Sequence, residues 1–320
     1  MATISTKRTG WHKFTVYMKR YWGLYAMLLL PMLFFIVFRY MPMVNMQIAF
    51  RQNNIILPIW EVPWATDPDG STNILANFQR VIEHPPFVNA FRNTVVFSVL
   101  DLLAGFPAPI ILALLLNELK FKRFKRITQT ISYMPHFLSW IIISGLAVSL
   151  FAPDQGTVNV ILYDWFGMEP INFLNRENSW IATVVGLGVW RSLGWNTIIY
   201  LAAITNVNPE LYEAADMDGA SRLRKMWHVT LPGIRPVIVI LLILAIGGIM
   251  GADFDRFLAL RNPLVARVSD VLPLYIWQWG INQWQFAMAT AAGIIQNLIN
   301  LTLLLAANFV VKRMGSDGLW

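Results

Sequence analysis

Long apolar stretches alternate with short polar connections along the chain. A helix that crosses a bilayer needs about 20 predominantly apolar residues. Six segments meet this requirement, near residues 23–44, 92–117, 128–151, 180–204, 235–255 and 286–311. Asp253, Asp255 and Arg256 make the end of the fifth segment the least regular. The pattern predicts an all-α membrane protein in which residues 23–311 form a six-span helical bundle.

The composition excludes an ordinary water-soluble domain. The chain has 320 residues, of which 56% are hydrophobic and 13% charged, whereas soluble domains carry about 25% charged residues. Its net charge of +7 fits basic connections on the cytoplasmic side of a membrane better than a nucleic-acid surface. We therefore expect membrane lipid, and no nucleic acid, around the chain. It contains no cysteine, which excludes disulfides and thiolate metal sites.

Lys and Arg are distributed unevenly over the connections, and this predicts the orientation. One set holds sixteen of them, in the N-terminal arm 1–22, the connection 120–126, the insert 206–234 with Arg235, and the tail 312–320. The opposite set holds six: Arg51, Arg80, Arg176, Arg256, Arg261 and Arg267. Because such residues are enriched in cytoplasmic connections, we expect both termini and the insert in the cytoplasm. No small-residue cleavage site follows the first span, so the arm is expected to stay uncleaved.

The three external connections, residues 45–91, 152–179 and 256–285, are rich in Pro and Trp. The first contains the turn sequence DPDG at residues 67–70. We expect it to fold against the outer ends of the helices. The tryptophans of these connections either anchor the chain at the membrane interface or form a docking surface for an external partner.

The polar insert of residues 206–234 is predicted to fold as two short helices at an angle. Asn208 suits the N-cap and Pro209 the first helical position. Gly219 permits a sharp change of direction, and Pro232 is expected to end the element. An interfacial helix on lipid would explain the basic end of the insert. Its acidic residues would then face an anionic leaflet, so the charge pattern favours docking onto a cytoplasmic partner.

The stretch YEAADMDGASRLRKMWHVTLP resembles the EAA loop of permease subunits in binding-protein-dependent ATP-binding cassette (ABC) importers. Other stretches are similar to oligosaccharide permeases of the alginate and aldouronate type, which are relatives of the maltose permease: GFPAPIILALLLNE, KRFKRITQTISYMPHFLSW and EPINFL. The resemblance covers nearly the whole chain. It implies the type I ABC importer permease fold in the bacterial cytoplasmic (inner) membrane, with a cytoplasmic coupling helix and alternating access.

The resemblance also implies partners and a coupling site. The partners are a second, similar permease, two ATPase subunits, an extracytoplasmic solute-binding protein and an oligosaccharide substrate. The coupling residues would be Glu213, Ala214, Ala215, Asp218, Gly219 and Ala220. Glu213 would pair with a cation of the ATPase, the alanines would permit close packing, and Gly219 would make the bend.

We expect this chain to bind no cofactor and to have no enzymatic activity of its own. It lacks the phosphate-loop motif, and its four histidines show no metal-ligand spacing. ATP and Mg²⁺ are therefore expected on the partner subunits. A self-contained secondary sugar transporter is the main alternative, but it would need its own coupling-ion site, usually within inverted repeats. A membrane-embedded enzyme would need paired catalytic groups.

Polar residues inside the fourth and sixth spans mark a candidate substrate pathway: Trp190, Arg191, Trp195, Asn196, Gln296, Asn297 and Asn300. Arg191 either pairs with Asp101, Asp253 or Asp255, or lines a cavity and suits a uronate carboxylate, with the tryptophans stacking on pyranose rings. The amides of the sixth span either join helices by hydrogen bonds or offer donors and acceptors to sugar hydroxyls.

Prolines and glycines in two spans predict local irregularities. Pro107 and Pro109 are expected to kink the second span. Gly247, Gly248 and Gly251 are expected to allow close helix packing in the fifth span, with GxxxG-type spacing between Gly247 and Gly251.

Overall fold

The computed structural model describes residues 16–315 and 318–319. Over this part of the chain the secondary structure is helical, apart from the isolated bridges Arg51–Trp64 and Thr66–Thr72. The first half contains α1 (Trp22–Phe35), α2 (Ala76–Glu83), α3 (Pro85–Gly105), α4 (Pro107–Asn117), α5 (Lys122–Tyr133), α6 (Trp140–Phe151) and α7 (Thr157–Phe166). The second half contains α8 (Glu177–Thr205), α9 (Pro209–Met217), α10 (Arg222–Lys225), α11 (Leu231–Gly247), α12 (Phe254–Leu260), α13 (Ala266–Ser269), α14 (Leu272–Trp277) and α15 (Phe286–Arg313).

Helices stand at each of the six predicted spans, which confirms the all-α membrane fold. Within the described residues, four helical runs are long and apolar enough to cross a bilayer: Trp22–Phe50, Pro85–Asn117, Arg222–Gly247 and Phe286–Arg313. Lys122–Phe137 and Trp140–Phe151 make a fifth if the two are taken together. Helix α8, with 29 residues, occupies the position of the predicted fourth span. Most of the predicted arm, residues 1–15, and part of the tail lie outside the described residues.

The third span differs from the prediction because it is broken. Lys122–Phe137 and Trp140–Phe151 meet at 104° instead of continuing as one helix over 128–151. Pro135 begins a short 3-10 turn that replaces α-helical geometry at residues 134–137. Ser139 then starts α6 as its N-cap, and its hydroxyl accepts a hydrogen bond from the Ile142 N–H. A new helix start directly after a proline turn gives the chain a new direction at this point.

The fifth span also begins and ends elsewhere. Its helix ends at Gly247, so the expected extension to residue 255 is wrong. The expectation that Pro232 ends the preceding element is wrong as well, because helical structure runs from Arg222 through Gly247. A π turn over Met226–Thr230 precedes Pro232, and its wider ring makes room for a proline near the start of α11.

Prolines and glycines have the local effects expected at two other points. The second span changes from α3 to α4 around Phe106, and Pro107 occupies the first position of α4. Gly247 permits close packing, because a Cβ there would lie 2.6 Å from the Leu304 Cδ1 of α15. Gly251 follows the end of α11, so the two glycines do not form a GxxxG face on one helix.

The core is centred on α8, which packs against α3, α4 and α5. Phe97, Trp180 and Phe257 fill its outer half, where the rings of Phe97 and Phe257 lie 4.7 Å apart. Helix α1 stands apart from this core, and none of its residues is buried. The bundle therefore leaves its first span without an intramolecular packing surface along Trp22–Phe35.

The first external connection is folded, as predicted. The Asn77 amide donates to the carbonyls of Ala49 and Arg51, at 3.0 and 2.7 Å. The Arg51 guanidinium lies over the Trp64 ring at 4.6 Å. Asn53 ties this connection to the last one, because its amide donates to the Trp284 carbonyl at 2.9 Å.

Candidate functional site

A polar cavity of about 350 Å³ lies among α3, α6, α8, α11 and the non-helical residues 248–253. Its wall on α8 is built from Gly188, Ser192 and Asn196, which repeat every four residues on one face of the helix. The charged groups on its wall are Asp101, Arg191, Asp253 and Arg256. Placing an ionisable side chain at membrane depth costs free energy, and such side chains mark substrate or ion pathways.

Arg256 is neutralised within the protein. Its guanidinium donates to both carboxylate oxygens of Asp101, at 3.1 and 2.5 Å, and is 4% exposed. It also lies over the Phe257 ring at 4.7 Å. Gly188 makes room for this guanidinium, because a Cβ at that position would collide with Nη1. The bidentate pair joins α3 to α12 across the top of the cavity and is a structural element of its wall.

Arg191 has no carboxylate partner among the described residues. Its Nε donates to the Leu138 carbonyl at 3.2 Å, and its guanidinium lies over the Trp140 ring at 5.1 Å. None of the three carboxylates that the sequence offered as partners pairs with Arg191. The interpretation of Arg191 as an ion-paired residue is therefore wrong. Asp101 pairs with Arg256, Asp253 accepts from the Trp140 Nε1 at 2.6 Å, and Asp255 is exposed.

The other polar residues of the fourth span separate onto different faces. Asn196 lines the cavity together with Arg191. Trp190 faces an apolar groove between α6 and α8. Trp195 stacks on His136, with ring centroids 4.5 Å apart and planes at 3°. The structure thus brings Arg191 and Asn196 together, and places both tryptophans away from the cavity wall.

The amides of the sixth span lie behind the cavity wall. The Gln296 Nε2 donates to the Met250 carbonyl at 2.9 Å, and the Asn300 Oδ1 accepts from the Met250 N–H at 2.9 Å. Asn297 points elsewhere and is exposed. In this structure Gln296 and Asn300 bind the non-helical backbone that follows the fifth span, so they join the sixth span to this stretch rather than one helix to another. None of these three amides lines the cavity.

Sequence reasoning missed the two groups that shape the cavity most. Trp140 contacts Arg191 through its ring and Asp253 through its N–H, but from sequence it looked like one of many aromatic residues. The apolar pattern predicts a span that includes residues 248–253, where the structure has non-helical backbone. Three glycines within five residues, Gly247, Gly248 and Gly251, were the available signal for a helix end.

The predicted angle in the insert is present and is built by standard caps. The Asn208 Oδ1 accepts from the Glu210 N–H at 3.0 Å and starts α9. Gly219 has φ of +68°. The Gly219 N–H donates to the Asp216 carbonyl at 3.1 Å, and the Ala220 N–H to the Ala215 carbonyl at 2.9 Å. This pair of bonds is a Schellman motif with glycine at the left-handed position.

The elbow formed by α9 and α10 presents most of its surface to the surroundings. Neither helix has a buried residue, and Glu213, Ala214 and Asp218 are exposed. Two contacts hold the elbow. The Tyr212 hydroxyl meets the Thr230 Oγ1 at 2.9 Å, and Lys225 pairs with Asp216 at 2.6 Å. The arrangement leaves a small-residue, acidic face available, while its role in coupling stays a prediction.

A second group of charges lies outside the spans, where α13 meets the start of α3. Asp270 pairs with Arg261 at 3.1 Å. Burial raises the pKa of Asp270 above its usual value, and the positive charge of Arg261 opposes this shift. The neighbouring His84 bonds the Tyr275 hydroxyl at 2.9 Å, and burial lowers the pKa of its imidazole. The Arg261–Asp270 pair lies within the last external connection, and the His84–Tyr275 bond joins this connection to the start of α3.

Residues 105–316 match the family described as the binding-protein-dependent transport system inner membrane component. The chain belongs to this family. The permease is 41% identical over 297 residues to the polygalacturonan/rhamnogalacturonan transport system permease protein YteP of Bacillus subtilis (strain 168). This alignment covers 93% of the permease and 90% of that relative.

Two solved structures resemble the permease over nearly its whole length. One is a bacterial ABC transporter involved in the import of the acidic polysaccharide alginate, with a TM-score of 0.84 and 36% identity over 94% of the permease and 99% of that chain. The other is a bacterial alginate ABC transporter in complex with an alginate pentasaccharide-bound periplasmic protein, with a TM-score of 0.84 and 35% identity over 94% and 98%.

These similarities confirm the resemblance and the type I ABC importer permease fold predicted from the sequence. A multi-pass inner membrane component of a binding-protein-dependent system is the class to which the chain belongs. The interpretation as a self-contained secondary transporter is therefore set aside, because such a transporter would not depend on a binding protein.

Proposed function

We propose that this permease imports acidic oligosaccharides that carry uronate groups. The observation that carries the proposal is Arg191, a cavity-lining guanidinium that makes no ion pair within the described residues. Two similar proteins, at 41% and 36% identity, are named for transport of polygalacturonan/rhamnogalacturonan and for import of the acidic polysaccharide alginate. A cavity-lining cation without an ion pair among the described residues and anionic substrates in two relatives support the same substrate class.

The chemistry of the cavity suits a sugar acid. A guanidinium binds a carboxylate through two parallel hydrogen bonds, and a hydrogen bond to a charged group contributes about 1.5–3 kcal/mol. Asn196 offers donors and acceptors to sugar hydroxyls. The two oxygens of Asp253 are used within the protein, where they accept from the Trp140 Nε1 and from the Arg256 N–H. Since Asp101 is occupied by Arg256, Arg191 is the cation that a uronate would meet.

Membership of the family supports the assembly and the energy source that we propose. The permease works beside a second permease, two ATPase subunits that bind ATP and Mg²⁺, and an extracytoplasmic solute-binding protein. The acidic face of the elbow, with Glu213, docks onto the ATPase in the cytoplasm, where both termini also lie. The folded external connections receive the loaded binding protein. Closure of the ATPase dimer drives alternating access of the cavity.

Replacing Arg191 tests the substrate proposal. In proteoliposomes that contain the whole transporter, Arg191→Gln is expected to lower the transport efficiency for oligogalacturonate about tenfold or more, because a charge-assisted pair is lost. Transport of the methyl-esterified form of the same oligosaccharide is expected to change little. Affinity of the solute-binding protein for each sugar is measured separately, so that delivery and permeation are distinguished.

Arg92→Gln is the matched control, because Arg92 is an exposed arginine of α3 that does not line the cavity. Arg191→Lys keeps the charge but not the two-pronged geometry, and is expected to fall between wild type and Arg191→Gln. Equal losses for the acidic sugar and its ester would remove the proposed role of Arg191.

A further inference from the structure

The cavity wall between α11 and α12 is a stretch of backbone outside the helices, and side chains from two other helices hold it. The Ser98 hydroxyl of α3 donates to the Ile249 carbonyl. From α15, the Gln296 Nε2 donates to the Met250 carbonyl and the Asn300 Oδ1 accepts from the Met250 N–H, both at 2.9 Å. Non-helical backbone at membrane depth must have its polar groups satisfied by the protein or by water in a cavity.

This stretch has two different sides. The Met250 side chain is 5% exposed and packs in the core with Ala291 and Ala292 of α15. Gly248, Ile249, Gly251 and Ala252 line the cavity. Gln296 and Asn300 do not line it, so they reach the backbone from behind, at the buried residue Met250.

The two amide side chains complement the two polar backbone groups of one residue, Met250. Residues 296 and 300 are four apart, so both side chains leave the same face of α15. One presents a donor to the carbonyl and the other an acceptor to the N–H of the same residue. An apolar side chain of the same size at either position would leave a buried backbone group unsatisfied, which the segment avoids only by moving.

We infer that Gln296 and Asn300 are positioning residues, which fix the cavity wall at residues 248–252 through Met250 without touching the substrate. This inference rests on the proposed function only in assuming that the substrate passes through the cavity. Three of the four residues of this wall that line the cavity are glycine or alanine, so the backbone sets most of its shape. Displacing that backbone therefore changes the fit of the sugar rather than a single contact with it.

A single cysteine reports the position of the wall, because the chain has none of its own. In the assembled transporter, Ala252→Cys is reacted with a membrane-impermeant thiol reagent, with and without saturating oligogalacturonate delivered by the binding protein. Gln296→Met and Asn300→Leu are then introduced. Each is expected to change the labelling rate at least about threefold and to raise the half-saturating oligogalacturonate concentration for transport about tenfold.

Asn297→Leu is the matched control, because it makes the same chemical change on the same helix at an exposed residue. It is expected to alter neither quantity. If Gln296→Met fails to assemble, Ser98→Ala removes the bond to the adjacent Ile249 with a smaller change and is expected to shift the labelling rate in the same way.

The inference is overturned if Gln296→Met, Asn300→Leu and Ser98→Ala assemble and label at the rate of Asn297→Leu. A failure of the proposed function has a different signature. In that case oligogalacturonate neither protects Ala252→Cys nor is transported by the otherwise wild-type complex, while the dependence of labelling on the two amides persists.

Discussion

At the scale of single residues, two arginines in one cavity have opposite environments. Arg256 is held by Asp101 in a bidentate pair, while Arg191 makes a backbone hydrogen bond and lies over Trp140. The sequence marked Arg191 as unusual, because a charge inside an apolar span is costly. It did not indicate which arginine would take Asp101, because that choice depends on contacts between residues 155 positions apart.

Gly188 tests the importance of the Arg256 pair. Gly188→Ala is expected to destabilise the protein by about 1–3 kcal/mol, because the added methyl group collides with a buried guanidinium that has little room to move. Thermal unfolding in detergent measures the change. Gly186→Ala, on the same helix, meets no atom within 4 Å and is expected to leave the unfolding temperature unchanged or slightly raised. Equal effects of the two variants would contradict the structural role of the pair.

At the scale of elements, local signals predicted the cap and the bend of the elbow. They missed the continuation of its second helix into the fifth span, and they missed the broken spans. The cap at Asn208 and the bend at Gly219 depend on residues within one or two turns. The break before α6 and the end of α11 at Gly247 lie inside apolar stretches. In such stretches hydropathy stays high whether or not the helix continues, so it does not show where a helix ends. What stabilises the unwound residues 248–253 is a set of amides about 50 positions away.

The bend at Gly219 yields a prediction about coupling. A residue other than glycine in the left-handed conformation costs roughly 1–2 kcal/mol, so Gly219→Ala is expected to change the angle between α9 and α10. Sugar transported per ATP hydrolysed in the reconstituted transporter should fall. Asparagine tolerates this conformation, and Gly219→Asn is expected to retain most of the coupling. If alanine couples as well as asparagine, the bend is not needed.

At the scale of the whole molecule, two surfaces of the described residues are left uncovered by the rest of the chain. Helix α1 has no buried residue, and the elbow exposes its acidic face. Composition and hydropathy predicted the membrane bundle, because they report on the surroundings of the whole chain. The cavity was only partly predictable. Arg191 and Asn196 were found from the sequence, whereas Trp140 and the backbone wall required the packing of helices distant in sequence.

The central claim is that a separate ATPase drives this permease through the elbow. The most direct measurement places a single cysteine at Ala214, exposed on α9, and cross-links it to neighbours in the assembled transporter with and without trapped ATP. The account predicts adducts with the ATPase in both states, and none from Ser71→Cys in the exposed external turn. Cross-links from Ala214→Cys to lipid alone, never to the ATPase, would contradict it.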